Sequence, residues 1–138
     1  MSQENDKIMR KQESEKTLEA RLVSEVRRRG GMAIKLTSQF HRGLPDRLVV
    51  LPYHTLAFVE MKSTGKKPTD IQEHALGELR RMKFTTRVID STETLDEFLA
   101  AIDLRLAQQE QNNAELIERY RESKAEFIAE QKARRSGR

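Results

Sequence analysis

Two short apolar runs, Arg47 to Leu51 and Thr55 to Met61, stand on either side of Pro52-Tyr53-His54. Runs of this length, rich in valine, leucine and phenylalanine and separated by three residues that include a proline, form a β-hairpin. Asp46 therefore opens one strand and Glu60 closes its partner. The period of two along a strand points Glu60 and Lys62 to one face of the sheet, with Met61 packing on the other. Two carboxylates and an ammonium thus meet at one end of adjacent strands. Leu56, Phe58, Val49 and Val50 mark the sheet as buried, and a carboxylate followed by a lysine in such a sheet needs compensation.

The rest of the chain supplies layers for that hairpin. Thr17 to Arg29 reads as a helix with Leu18, Leu22 and Val26 on one face and Gly30-Gly31 ending it. Met32 to Leu36 is a strand, and Thr37 to Leu44 a loop carrying Phe40, His41 and Arg42. Pro68-Thr69-Asp70 starts a second helix with Ile71, Ala75, Leu79 and Met82 at helical spacing, and Thr86 to Ile89 is a strand beside the hairpin. Asp90-Ser91-Thr92 caps a third helix whose buried stripe is Leu95, Phe98, Leu99 and Ile102. The order αβββαβα classes the domain as α/β.

Beyond Ile102 the chain is rich in glutamine, glutamate and arginine and reads as a long charged helix. Leu106, Ile117, Tyr120 and Phe127 recur near heptad positions, but Glu110, Asn113 and Lys124 interrupt the stripe, so a strong coiled coil is not supported. It is either a solvated tail or an arm for packing and dimerisation. The chain divides into a polar N-terminal tail (1–14), a folded domain (15–102) and the charged helix or tail (103–138).

A chain of 138 residues suits one domain. The absence of cysteine excludes disulfides and thiolate zinc sites. His41, His54 and His74 are scattered without metal-ligand spacing and read as surface or substrate-contact residues. The opening Met-Ser-Gln-Glu-Asn-Asp holds no apolar run, and no segment reaches membrane-spanning length, so a cytoplasmic protein is expected. The net charge is +4, with basic clusters at Arg27 to Arg29, Lys66-Lys67, Arg80 to Lys83 and Lys132 to Arg138. Such clusters bind phosphate without reading sequence. Two of them sit at helix C-termini and complement the helix dipole there. Lys66-Lys67, directly after the hairpin, is the better phosphate contact.

Asp46, Glu60 and Lys62 together suit phosphodiester hydrolysis. That reaction needs a nucleophilic water, neutralisation of charge on the phosphate oxygens and a stabilised leaving group. A hard divalent cation such as Mg²⁺ meets these needs and prefers oxygen ligands, commonly one or two carboxylates plus water and substrate phosphate. Asp46 and Glu60 are the candidate metal ligands, with the backbone carbonyl of Met61 as a third oxygen. Lys62 would orient the attacking water or offset phosphate charge. The blander alternatives are a turn aspartate after Pro45 and an exposed Glu60–Lys62 ion pair of little energetic value.

These residues carry a family resemblance. The chain resembles the PD-(D/E)XK nuclease superfamily, specifically its virus-type replication-repair nuclease (VRR-NUC) branch. Pro45-Asp46 and Glu60-Met61-Lys62 match its motifs, with Gly43 and Arg47 framing the first. Gly30-Gly31 ahead of Lys35, the stretch Gly65-Lys66-Lys67-Pro68, and Gln72 also fall where that branch has similar residues. The similarity covers roughly Thr17 to Ile102. The bare D-x(n)-E-x-K pattern is common in basic proteins, whereas the full ordered set is specific.

The resemblance implies a restriction-endonuclease-like core, a central mixed sheet flanked by helices, followed here by the long C-terminal helix. It implies a glutamate on the first helix that completes the site, Glu19, with Glu15 one turn earlier in reserve. Gln72 would lie beside the metal and hydrogen-bond water or phosphate. Mg²⁺ or Mn²⁺ is the expected cofactor, and Lys35, Arg42, Arg47, Lys66 and Lys67 are the expected nucleic-acid contacts. The activity implied is a structure-selective DNA endonuclease acting as a homodimer on branched DNA such as four-way (Holliday) junctions, in the cytoplasm of a bacterial or phage-infected cell. An inactive DNA-binding descendant, or an assembly protein working through its C-terminal helix, are the alternatives.

Overall fold

In the computed structural model, which describes residues 13–37 and 40–137, seven elements follow one another as expected: α1 (Glu15–Arg28), β1 (Met32–Lys35), β2 (Arg47–Leu51), β3 (Thr55–Met61), α2 (Asp70–Arg81), β4 (Thr85–Ile89) and α3 (Thr92–Ser136). Most of the polar N-terminal tail, residues 1–12, and two residues of the loop before the hairpin, 38 and 39, lie outside the described residues. The sheet order is β1-β2-β3-β4. The first two pairings are antiparallel and β3 runs parallel to β4, with α2 as the crossover that a parallel pair requires. This is a mixed sheet between helices.

The hairpin forms in the register the sequence implies, with Leu51 opposite Thr55 and Arg47 opposite Val59. Its three-residue turn holds Tyr53 and His54 in the left-handed region, at φ 58° and 59°. The core lies on one face of the sheet, where Val49, Leu51, Ala57, Val59, Met61 and Ile89 meet Leu18, Leu22 and Val26 of α1 and Leu95, Phe98, Leu99 and Ile102 of α3. Each fully buried aliphatic contributes about 1.5–3 kcal/mol. Ser14 caps α1 by accepting the Thr17 N–H at 3.1 Å. Glu13, just before it, accepts the Thr92 N–H at 2.6 Å and the Thr92 hydroxyl, tying the start of α1 to the start of α3.

Two packing expectations are corrected. On β3 the buried set is Thr55, Ala57, Val59 and Met61, whereas Leu56 is 39% exposed and Phe58 is half-buried. Leu56, Phe58 and Glu60 share the opposite face, and of these Glu60 is the one that becomes buried. On α2 the apolar row Ile71, Ala75, Leu79, Met82 is not the packed stripe: Ile71 is 50% and Met82 58% exposed, while Leu76 is fully buried. The helix is rotated so that Leu76 and Gln72, one turn apart, point at the sheet. A hydrogen bond from Gln72 to Glu60, described below, fixes that rotation.

The helix that begins at Thr92 continues without a break through Ile102 to Ser136, 45 residues in all. Packing changes at Ile102 although the backbone does not. Leu106 still packs against the core, but Leu116, Ile117, Tyr120, Phe127 and Ile128 are exposed. Among the described residues, no helix is long and apolar enough to cross a membrane.

Candidate active site

The Asp46 and Glu60 end of the hairpin is built by strand termini. Pairing of β2 with β3 stops at Arg47 and Val59, so the next backbone donor on that side of β3, the Met61 N–H, has no strand partner. The Asp46 carboxylate takes it: Oδ2 accepts from Met61 N at 2.7 Å. Asp46 is also held through its main chain, where its carbonyl accepts the Leu36 N–H at 2.9 Å. The loop behind it is tight. Gly43 has φ +78°, and a Cβ there would lie 2.5 Å from the Ile71 carbonyl oxygen, so the loop closes onto the first turn of α2 only with glycine.

Glu60 is 1% exposed. Its Oε1 accepts from Gln72 Nε2 at 3.0 Å and lies 3.9 Å from Lys62 Nζ, a Coulombic contact too long for a hydrogen bond. Its Oε2 is buried without a partner. Burial is the main reason that the Glu60 carboxyl is pushed up to about 8, and the neighbouring Asp46 carboxylate adds to it by its charge and by accepting a hydrogen bond from the Glu60 carboxyl when that group is protonated. Lys62 opposes that rise, and the charge of Glu15 adds to it.

Gln72 has two roles at once. Its side-chain oxygen accepts the Thr69 N–H at 2.9 Å while the Thr69 hydroxyl accepts the Gln72 N–H, the reciprocal capping box that starts α2. With the oxygen occupied by the helix cap, the amide nitrogen faces Glu60. The Thr69-x-x-Gln72 spacing carries this signal in the sequence, but its link to Glu60 depends on where α2 crosses the sheet.

The two glutamates of α1 separate in space. Glu19 Oε1 accepts from Arg47 Nε at 2.8 Å, and Arg47 Nη1 also donates to the Ala33 carbonyl at 2.9 Å. Arg47 thereby clamps α1 to β1 directly beside Asp46. Glu15 is exposed, and its charge is the one felt at Glu60. The structure thus brings together Asp46, Glu60, Lys62, Gln72 and the Met61 backbone, and sets Glu19 against Arg47. Lys35 is exposed opposite Arg47 in the register, and Arg42, Lys66 and Lys67 are exposed in the loops at this end of the sheet. His41, His54 and His74 are exposed.

Among the described residues, no group of three or more histidine, cysteine or acidic side chains is arranged to hold a metal ion. The donors present are two carboxylates and a strand-end carbonyl. That set fits a hard cation that keeps water and phosphate as its remaining ligands. A cation between Asp46 and Glu60 would also give the orphaned Glu60 oxygen a partner and remove the like-charge conflict.

No family model matches the chain. A protein of Acyrthosiphon pisum secondary endosymbiont phage 1 described as "Putative nuclease p44" is 43% identical over 89 residues, which is 64% of this chain and 95% of the phage protein. A solved structure described as a VRR_NUC domain superposes with a TM-score of 0.60 at 24% identity, covering 64% of this chain and 97% of that one. The chain belongs to the same family as that phage protein, and its fold is that of a VRR_NUC domain. Both of these proteins are matched almost end to end while over a third of this chain is not, so the chain carries residues beyond the shared domain. The resemblance read from Pro45-Asp46 and Glu60-Met61-Lys62 is borne out at the level of family and fold.

Proposed function

We propose that the chain is a nuclease that hydrolyses DNA phosphodiester bonds with Mg²⁺ or Mn²⁺ at Asp46 and Glu60. The observation that carries the reading is the buried Glu60 carboxylate beside Asp46, with one oxygen unpartnered. A buried carboxylate pair without a cation is costly. Asp46, Glu60 and the Met61 carbonyl would hold the ion, which would lower the pKa of a water and offset charge on the phosphate. Gln72 fixes the Glu60 carboxylate and, through the cap, the start of α2. Lys62, held near Glu60, orients the attacking water or offsets the charge that builds on the phosphate.

Of the two α1 glutamates, Glu15 is assigned to complete the site and Glu19 to neutralise Arg47, because Glu19 is paired and the charge of Glu15 reaches Glu60. Lys35, Arg42, Lys66 and Lys67 contact the DNA backbone, with any remaining donor of Arg47. Residues 15–102 are the nuclease unit. The substrate is branched DNA, four-way junctions foremost, and a homodimer supplies the two symmetric cuts such a junction needs, in the cytoplasm of a bacterial or phage-infected cell.

Labelled junction, flap and linear duplex, each incubated with Mg²⁺ or Mn²⁺, test the reading. Cleavage by the wild type and none by folded Glu60→Ala or Asp46→Asn is the expected result. Cleavage retained by either variant overturns the assignment.

A further inference from the structure

We propose that the cavity at the opposite end of the sheet from Asp46 and Glu60 binds one nucleotide unit, a phosphate with its base, of a DNA strand that also reaches the active site. The cavity lies where β3 and β4 begin, against α3. It encloses about 420 Å³, within the range of pockets that take small ligands. His54, Thr55, Lys83, Phe84, Arg87 and Arg105 are among its walls, and no aspartate or glutamate is. Among the described residues, Lys83, Arg87 and Arg105 take part in no ion pair. Three exposed cations around one small volume without an acidic side chain in its walls give it a positive potential that favours an anion.

The rest of the wall narrows the anion to a nucleotide. Phe84 is 41% exposed and is fixed edge-on to Phe58, with ring centroids 5.7 Å apart. An anchored, half-exposed ring beside cations is the pairing on which nucleic-acid bases stack. The Thr55 hydroxyl, buried and without a partner, stands in the same wall. Two of the polar residues are held at a conformational cost: His54 has φ 59° and Lys83 φ 72°, where glycine is the easier residue.

The placement sets a length. Thr55 and Glu60 are five residues apart on one strand, about 17 Å. At the duplex rise of about 3.4 Å per nucleotide, a stacked strand held at the carboxylates reaches the cavity roughly five nucleotides away. The identity of the strand rests on the nuclease reading. A free mononucleotide offers the same phosphate and base.

Lys83→Gly and Arg87→Gln, singly and together in the full chain, provide the test. Lys83→Gly removes a cation at a left-handed position, so the fold is retained or strengthened. Binding is read by fluorescence anisotropy in EDTA, with labelled single strands of about four and about twelve nucleotides, the second long enough to span both sites. For the long strand the double variant is expected to raise Kd about 5–20-fold and to lower the salt slope by about 1.4, roughly 0.7 for each cation lost, and the short strand, which fills one site at a time, is expected to lose its binding to the cavity. Titration with dAMP, followed by NMR, distinguishes the sources. Shifts in the wild type that vanish in the double variant support a free nucleotide, and a strand effect without them supports the DNA strand. An unchanged long-strand Kd and salt slope, with no dAMP shifts, overturns the proposal. Since cleavage plays no part, a wild type that fails to cut would count against the nuclease reading while leaving this result readable.

Discussion

Replacing Glu60 by glutamine should strengthen the metal-free protein while ending its activity. Burial beside Asp46 pushes the Glu60 carboxyl from an ordinary value of 4.5 up to about 8. The folded state therefore binds more protons than the unfolded chain between those values, and stability falls as pH rises through that window. A carboxyl raised in this way contributes its full stability below about pH 4.5 and has lost it above about pH 8. The gap corresponds to at most roughly 5 kcal/mol. Relaxation around the ionised group and entry of water reduce it to about 2–3 kcal/mol. Glutamine keeps an acceptor for Gln72 Nε2 and places an N–H₂ where Oε2 has no partner, beside the Asp46 carboxylate. In EDTA at pH 9 the variant should exceed wild type by about 2–3 kcal/mol in urea denaturation, and at pH 5 the two should agree within about 0.5 kcal/mol. Mg²⁺ or Mn²⁺ should raise the wild-type midpoint at pH 9 and leave that of the variant unchanged. Parallel stability profiles for the two proteins across this range would refute the reasoning.

Three further outcomes are expected. Lys62→Met should slow cleavage by about a hundredfold or more with metal binding retained, the scale of one electrostatic contact to the transition state; activity lost in step with folding, seen by circular dichroism, would make Lys62 structural. Glu15→Gln should cut cleavage at unchanged stability, whereas Glu19→Gln should cost about 1–3 kcal/mol through the unpaired Arg47 and spare much of the rate; the opposite pattern in parallel urea and cleavage assays would return the third carboxylate to Glu19. A chain ending near Ala107 should keep the denaturation midpoint of the core, because beyond Leu106 the helix contributes nothing to it. Light scattering on both lengths shows where a dimer interface lies: loss of the dimer places it on the long helix, and an unchanged dimer moves it to the nuclease core.

The local parts of this fold were readable because their signals are local. The hairpin needed only two apolar runs and a turn, and the shared face of Glu60 and Lys62 only the two-residue period. Ser14, Thr69 and Ser91 cap three helices, and the expected starts of α2 and α3 fall at their caps. What depends on how one element crosses another was not readable. Ile71 and Met82 have the right spacing for a packed stripe, but Gln72 reaching Glu60 turns that row toward solvent. Glu15 and Glu19 lie on one helical face and are equivalent in the sequence; Arg47, arriving from β2, takes one of them. The acceptor for the Met61 N–H depends on where the β2–β3 ladder ends. The cation-lined cavity draws on a turn, two strand starts and the long helix, so no contiguous segment announces it.

The unbroken α3 also fixes the azimuth of everything it carries. From Ala107 to Ser136 the rod extends about 44 Å beyond the packed core, at about 1.5 Å per residue. Because no loop intervenes, each side chain along that length faces a compass direction set by Phe98 and Ile102 where they lock into the core. One residue inserted near Gln109 would swing Tyr120 and Phe127 by about 100°, whereas seven would restore their heading to within about 20° and carry them about 10 Å farther out. The helix therefore acts as both a ruler and a dial, and a spacing series separates the two: whatever it meets responds to reach, to bearing, or to both.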